Sequence, residues 1–123
     1  MEHQIKRLKI GHTIMWRGAW GTETAKPAKI VAMQLCGANQ KYGKEVKSVA
    51  WETVYDGKRS ITVTLDNGHW AYGSQINPIN SISKVIEAIG NRGINDSYVR
   101  EFIKENDFCD EFIGDIYGYY LIG

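Results

Sequence analysis

The chain has 123 residues, 43% hydrophobic and 24% charged, with 15 Lys plus Arg against 14 Asp plus Glu for a formal net charge of +1. A chain of this length buries roughly two-thirds of the surface it exposes when unfolded, enough for a single domain over residues 1–123 without disulfides or a structural metal. No window approaches the roughly 18 consecutive apolar residues of a membrane span, and the first eleven residues mix charge with isolated Ile and Leu, unlike a signal peptide.

The expectation is therefore a cytoplasmic protein with no membrane partner. Cys36 and Cys109 make no CxxC and are expected to be reduced, with burial as an inert thiol the commoner fate. The near-neutral total hides a division. Residues 1–80 hold eleven Lys/Arg and six Asp/Glu, net +5, and residues 81–123 hold four and eight, net −4. Duplex DNA calls for a dominant basic stripe that releases many counterions, and this chain is not that basic. A small anionic ligand needs only two or three well-placed cations.

Strand signals fill the first 80 residues and helix signals the rest, so the fold class is α+β: an N-terminal antiparallel sheet, SH3-like or small-barrel-like, then two to three C-terminal helices. Strands are predicted over 10–17, 29–35, 46–54, 60–65 and 69–72. In the first, Ile10, Ile14 and Trp16 share parity. Asn67-Gly68 predicts a two-residue type I′ hairpin, which sets Asp66 opposite His69, Leu65 opposite Trp70 and Val63 opposite Tyr72. That register puts Ile61, Val63, Leu65, Trp70 and Tyr72 on one apolar face.

Beyond Pro78 the period becomes helical. Asn80 or Ser81 caps a helix burying Ile82, Val85, Ile86 and Ile89, and Gly90 stops it. A second helix starts near Asn95 or Asp96 and buries Val99, Phe102 and Ile103. Asp107 is the expected cap of a third, with Phe108, Phe112, Ile113, Ile116 and Tyr120 on one stripe; Gly114 and Gly118 weaken it by roughly 1 kcal/mol each. The Tyr-rich end, through Leu121 and Ile122, is too apolar to stand in water and is expected to dock on the core or on another subunit.

Catalytic signatures are missing from the sequence. His3, His12 and His69 are scattered with no HxH or HExxH, and there is no P-loop, GxSxG or GxGxxG, so neither a metal nor a cofactor is expected. What stands out is Trp16-Arg17-Gly18-Ala19-Trp20-Gly21, a guanidinium between two indoles with glycines that admit a ligand close to the backbone. Indoles stack on bases and arginine grips phosphate bidentately. Two readings stand for Trp16, core residue or ligand platform, and two for Arg17, phosphate clamp or plain surface residue. Trp51 reads as core. Trp70 and Tyr72 read first as core, with Tyr72 close enough to the strand end to reach a cavity mouth. Tyr98 and Arg100 open the second helix, whose N-terminal amides favour anions; the competing reading is a surface Arg paired with Asp96 or Glu101. Asp66 and His69 read as an exposed cross-strand pair, with an acid–base pair in a small hydrolase as the minor alternative.

Lys9-Ile-Gly-His-Thr-Ile-Met-Trp-Arg-Gly18, Leu65-Asp-Asn-Gly-His-Trp-Ala-Tyr-Gly-Ser-Gln-Ile-Asn-Pro-Ile79, Tyr98-Val-Arg-Glu-Phe-Ile103 and Asp110-Glu-Phe-Ile-Gly-Asp-Ile-Tyr-Gly-Tyr119 together resemble the phage-encoded anti-Thoeris proteins that sequester a cyclic ADP-ribose signal. The first stretch also resembles small SH3-like barrels. The anti-Thoeris resemblance implies a sheet followed by helices, homo-oligomers built from dimers, and a non-catalytic sponge in the host bacterial cytoplasm. It implies binding of glycocyclic ADP-ribose from TIR enzymes and, in some members, of cyclic oligonucleotides. It implies Arg17 and Arg100 as phosphate clamps, with Trp16, Trp20, Tyr72 or Tyr98 around the adenine. The competing function is an SH3-like adaptor that binds a protein or single-stranded nucleic acid through the surface at 16–21.

Overall fold

The computed structural model describes residues 2–36, 44–55, 60–90 and 96–120. The chain is α+β, an antiparallel sheet followed by helices. Strands β1 (Arg7–Lys9), β2 (Thr13–Trp16), β3 (Lys26–Cys36), β4 (Lys44–Val46) and β5 (Ser48–Ala50) precede helix α1 (Trp51–Val54). Then come β6 (Ser60–Leu65), β7 (Trp70–Tyr72) and β8 (Ile76–Pro78), and finally helices α2 (Ile82–Ile89), α3 (Asp96–Asn106) and α4 (Asp110–Tyr120).

The main sheet runs β7-β6-β3-β2-β8, with β4 on β3, and β1 pairs β5 separately. Among the described residues no closed barrel forms. The predicted strand over 46–54 is instead two short strands and a helical turn at Trp51. Ile10 leaves the predicted strand for a turn and is 39% exposed rather than in line with Ile14 and Trp16.

Strand β2 is buried on both faces, which divides the interior into two cores. Ile14 and Trp16 face a core with Leu8, Ile30, Met33, Trp51, Ile61, Val63 and Leu65. Met15 faces the other, against Val85, Val99, Phe102, Phe112 and Ile116 of the helices. In β3 the register slips by one between Ile30 and Ala32, and Val31, 46% exposed, is the extra residue. A bulge restores the inward parity, so Ile30 and Met33 are both fully buried despite their odd spacing.

The helices form where the periodicity places them. The Ser81 hydroxyl accepts the Lys84 amide at 3.4 Å and Gly90 ends α2. Helix α4 reaches Tyr120, whose hydroxyl donates to the Gly90 carbonyl, so the Tyr-rich end packs on the helical core up to that point; 121–123 lie outside the described residues. Asp107 does not cap α4. It takes a left-handed φ of 52° in the turn between α3 and α4.

Asn106 and His3 tie the helices to the sheet and to the segment before β1. Asn106, 3% exposed, accepts the Thr13 amide on Oδ1 at 2.7 Å and donates Nδ2 to the Phe102 carbonyl at 2.8 Å. His3 stacks on Phe112 with centroids 4.6 Å apart, and its Nε2 lies 2.9 Å from Asp115 Oδ2.

Candidate ligand-binding site

The β6–β7 hairpin decides which aromatic rings are available. Gly68 alone takes a left-handed φ, of 87°, and Asn67 does not, so the type I′ turn does not form. The Leu65 amide donates to the His69 carbonyl at 2.8 Å and the Gly68 amide to the Leu65 carbonyl at 3.1 Å, closing a three-residue loop over 66–68. The register is Thr62–Tyr72, Val63–Ala71 and Thr64–Trp70, one residue away from the predicted pairing.

A one-residue slip turns every side chain of the second strand over. Ala71 goes into the core, and Trp70 and Tyr72 come out, 54% and 40% exposed. They meet edge to face, centroids 5.1 Å apart at 89°, on the outer face beside Thr62 and Thr64. Asp66 and His69 consequently do not pair. Asp66 Oδ1 accepts the Lys29 amide at 3.1 Å, while the His69 ring stacks on Trp16 at 5.1 Å and 29°.

The chain after Tyr72 is held by close packing. A Cβ on Gly73 would lie 2.3 Å from the Val54 carbonyl oxygen and 2.9 Å from Ile61 Cγ2, so only glycine fits there. Here the chain makes a short 3-10 turn, Gly73–Gln75, against Val54 and Ile61. Gln75, 9% exposed, is its polar clamp. Its Oε1 accepts the Tyr72 amide at 3.0 Å and its Nε2 donates to the Arg17 carbonyl at 3.2 Å, while its own carbonyl accepts the Arg17 amide at 2.9 Å. The backbones of Arg17 and Tyr72, both with exposed side chains, are thus joined through Gln75.

The six sequence-predicted residues separate into two groups. Trp16 is 7% exposed, in the core beneath the hairpin, and its buried Nε1 has no hydrogen-bond partner among the described residues. Arg17 and Tyr72 are joined through Gln75. Trp20 belongs to the 3-10 turn Ala19–Gly21, and its side chain lies outside the described residues.

Tyr98 and Arg100 stand elsewhere, on α3, which packs on the Met15 face of the sheet and not on the Trp16 face. Tyr98, 53% exposed, borders a cleft of about 350 Å³ beside Lys29, Asp66, Glu101 and Glu105. Lys29 is bound to Glu105 at 3.0 Å, so this cleft carries excess negative charge and suits a phosphate poorly. The Arg100 guanidinium lies 5.4 Å from the Tyr117 ring centroid, against α4. The chain therefore does not bring Trp16 and Tyr98 together in one pocket.

Sequence reasoning missed Trp70 as an exposed ring and Gln75 altogether. The available signal was Asp66-Asn67-Gly68 read as a three-residue loop with glycine in the left-handed position. Also missed was a cluster in which the His12 Nδ1 accepts the Lys9 amide at 3.3 Å and Nε2 faces Asp107 Oδ2 at 3.4 Å. Burial holds His12 below the ordinary histidine value of 6.5, with Asp107 opposing that shift. Cys109 is exposed, contrary to the expected buried thiol, and the Cys36 side chain lies outside the described residues. Among the described residues no helix is long and apolar enough to cross a membrane.

Comparison with known proteins gave no match to a protein-family model, a curated protein or a solved structure.

Proposed function

We propose that this protein is a non-catalytic binding protein that holds a small nucleotide, its base on the Trp70–Tyr72 platform and a phosphate on Arg17. The observation that carries this reading is the Gln75 bridge, which ties the backbones of Tyr72 and Arg17, both with exposed side chains, to one turn. A base on such a platform gains roughly 1–3 kcal/mol from stacking, and a bidentate guanidinium–phosphate contact adds geometric selectivity.

The anti-Thoeris resemblance narrows the ligand to a cyclic ADP-ribose signal such as glycocyclic ADP-ribose and the role to sequestration against bacterial anti-phage defence. Tyr98 and Arg100 then belong to the same pocket only if a second copy of the chain supplies them, in keeping with the dimer-based oligomers that the resemblance implies. Sequestering a scarce signal at nanomolar concentration takes about 12 kcal/mol, more than one open platform provides, and a shared pocket meets that demand.

The adaptor reading keeps one observation in its favour. The platform continues across Thr62 and Thr64 as an open strip, a shape suited to successive bases of a single strand.

Calorimetric titration with cyclic ADP-ribose isomers separates these readings. The nucleotide-sponge reading expects saturable binding that weakens by about tenfold or more in Trp70→Ala and in Arg17→Ala. No binding of any isomer, together with salt-sensitive binding of a single-stranded oligonucleotide, would replace it with the adaptor.

A further inference from the structure

We propose that the protein carries a second ligand site, a basic cleft between β1 and the α3–α4 turn that takes a pyrophosphate-type anion. The cleft has a volume of about 310 Å³, and its walls include Lys6, Arg7, Lys9, His12, Asp107 and Cys109. That volume is at the lower end of the roughly 300–1,000 Å³ of small-ligand pockets.

Three cations face one carboxylate there. Among the described residues neither Lys6 nor Arg7 pairs with a carboxylate, and both are exposed. The Arg7 Nε donates to Ser48 Oγ at 2.7 Å, which orients the guanidinium and leaves its terminal nitrogens for a ligand. Lys9 Nζ lies 3.3 Å from Asp107 Oδ2, and buried His12 donates Nε2–H to the same oxygen because its Nδ1 accepts the Lys9 amide. Asp107 is therefore engaged within the wall, leaving the cleft positive overall.

Two adjoining phosphoryl groups match this arrangement better than one. A single phosphate saturates the Arg7 fork, whereas a diphosphate brings a second phosphoryl group for the ammonium groups of Lys6 and Lys9, which line the same cleft. Three cations in a concavity are too few for a nucleic-acid stripe, and the chain's net charge of +1 supplies no wider field. The cleft uses β1 and the α3–α4 turn, whereas the platform uses β6 and β7, so the two sites can fail independently.

Isothermal titration with inorganic pyrophosphate tests this, with orthophosphate and sulfate as comparators at near-physiological salt. The expected result is saturable one-to-one binding, tighter for pyrophosphate than for either comparator. Lys6→Ala and Arg7→Ala each weaken it by about tenfold, the loss of one charge-assisted hydrogen bond. Asp107→Asn tightens it by removing the opposing charge, and asparagine tolerates the left-handed backbone at that position.

Bound pyrophosphate also slows alkylation of Cys109, resolved from Cys36 at the peptide level. Trp70→Ala leaves the titration unchanged. Lack of saturation, equal affinity for sulfate, indifference to Lys6→Ala and Arg7→Ala, or loss of binding in Trp70→Ala would each overturn the proposal.

Discussion

Replacing Gly73 with alanine tests whether close packing positions the platform. The new Cβ would sit 2.3 Å from the Val54 carbonyl oxygen and about a methyl contact too close to Ile61 and Val54 side chains that are 1% and 4% exposed. One obstacle is backbone and the others are core, so relief requires moving α1 or β6, at a cost of about 3 kcal/mol. At roughly 2.1 cal/mol/K per residue, a 123-residue chain has an unfolding entropy near 0.26 kcal/mol/K, which converts that cost to a fall of about 12 °C in melting temperature. Gly114→Ala and Gly118→Ala are the matched controls. Neither new Cβ meets an atom within 4 Å, both sites lie inside α4, and each change is expected to raise stability by about 1 kcal/mol or about 4 °C. Differential scanning calorimetry of the three variants gives the answer. A Gly73→Ala melting temperature within about 2 °C of wild type would refute the packing argument for the turn that carries Gln75.

Asn106→Ala removes two hydrogen bonds and leaves the Thr13 amide without its acceptor, so urea denaturation should show a loss of about 2–4 kcal/mol. His12 has a folded pKa below 6.5, so its contribution is fully present above that value and is lost as pH falls through the lower folded value. The urea midpoint should therefore decline on acidification from about pH 7.5 to about pH 5, and His12→Gln should flatten that decline. Asp107, held below 3.8 by its hydrogen bond with His12 and by Lys9, adds a second loss at still lower pH that His12→Gln also reduces. Trp70→Ala, at an exposed position, should shift the urea midpoint little while reducing nucleotide binding, which separates platform chemistry from folding.

The sequence made the class of each layer readable because periodicity reflects burial. Helix α2 follows its apolar spacing and ends at its predicted cap and stop, since Ser81 and Gly90 act through local hydrogen bonding and backbone freedom alone. The helical turn at Trp51 was not readable and passed for strand, because four residues are too short a period to distinguish the two. The candidate site turned on one residue of register. Asn-Gly serves both a two-residue loop and the end of a three-residue loop, and the choice between them decides whether Trp70 and Tyr72 are core or surface. Locally both loops were open to this sequence, since Gly68 takes the left-handed position in either. Tertiary context favoured the longer one, because Asp66 bonds the Lys29 amide, a contact between residues 37 apart in sequence. For the same reason Gln75 and Asn106 gave no signal: beside their local bonds to Tyr72 and Phe102, each ties to a partner distant in the chain, Arg17 and Thr13.

The measurement that bears most directly on the proposed function is recovery of bound nucleotide. The protein is mixed with cyclic ADP-ribose isomers, freed of unbound ligand, weighed by native mass spectrometry and then denatured. The account predicts a stoichiometric complex of an oligomer that releases the cyclic nucleotide chemically intact, with less of it retained by Trp70→Ala. Release of a hydrolysed product, or retention undiminished in Trp70→Ala, would contradict it.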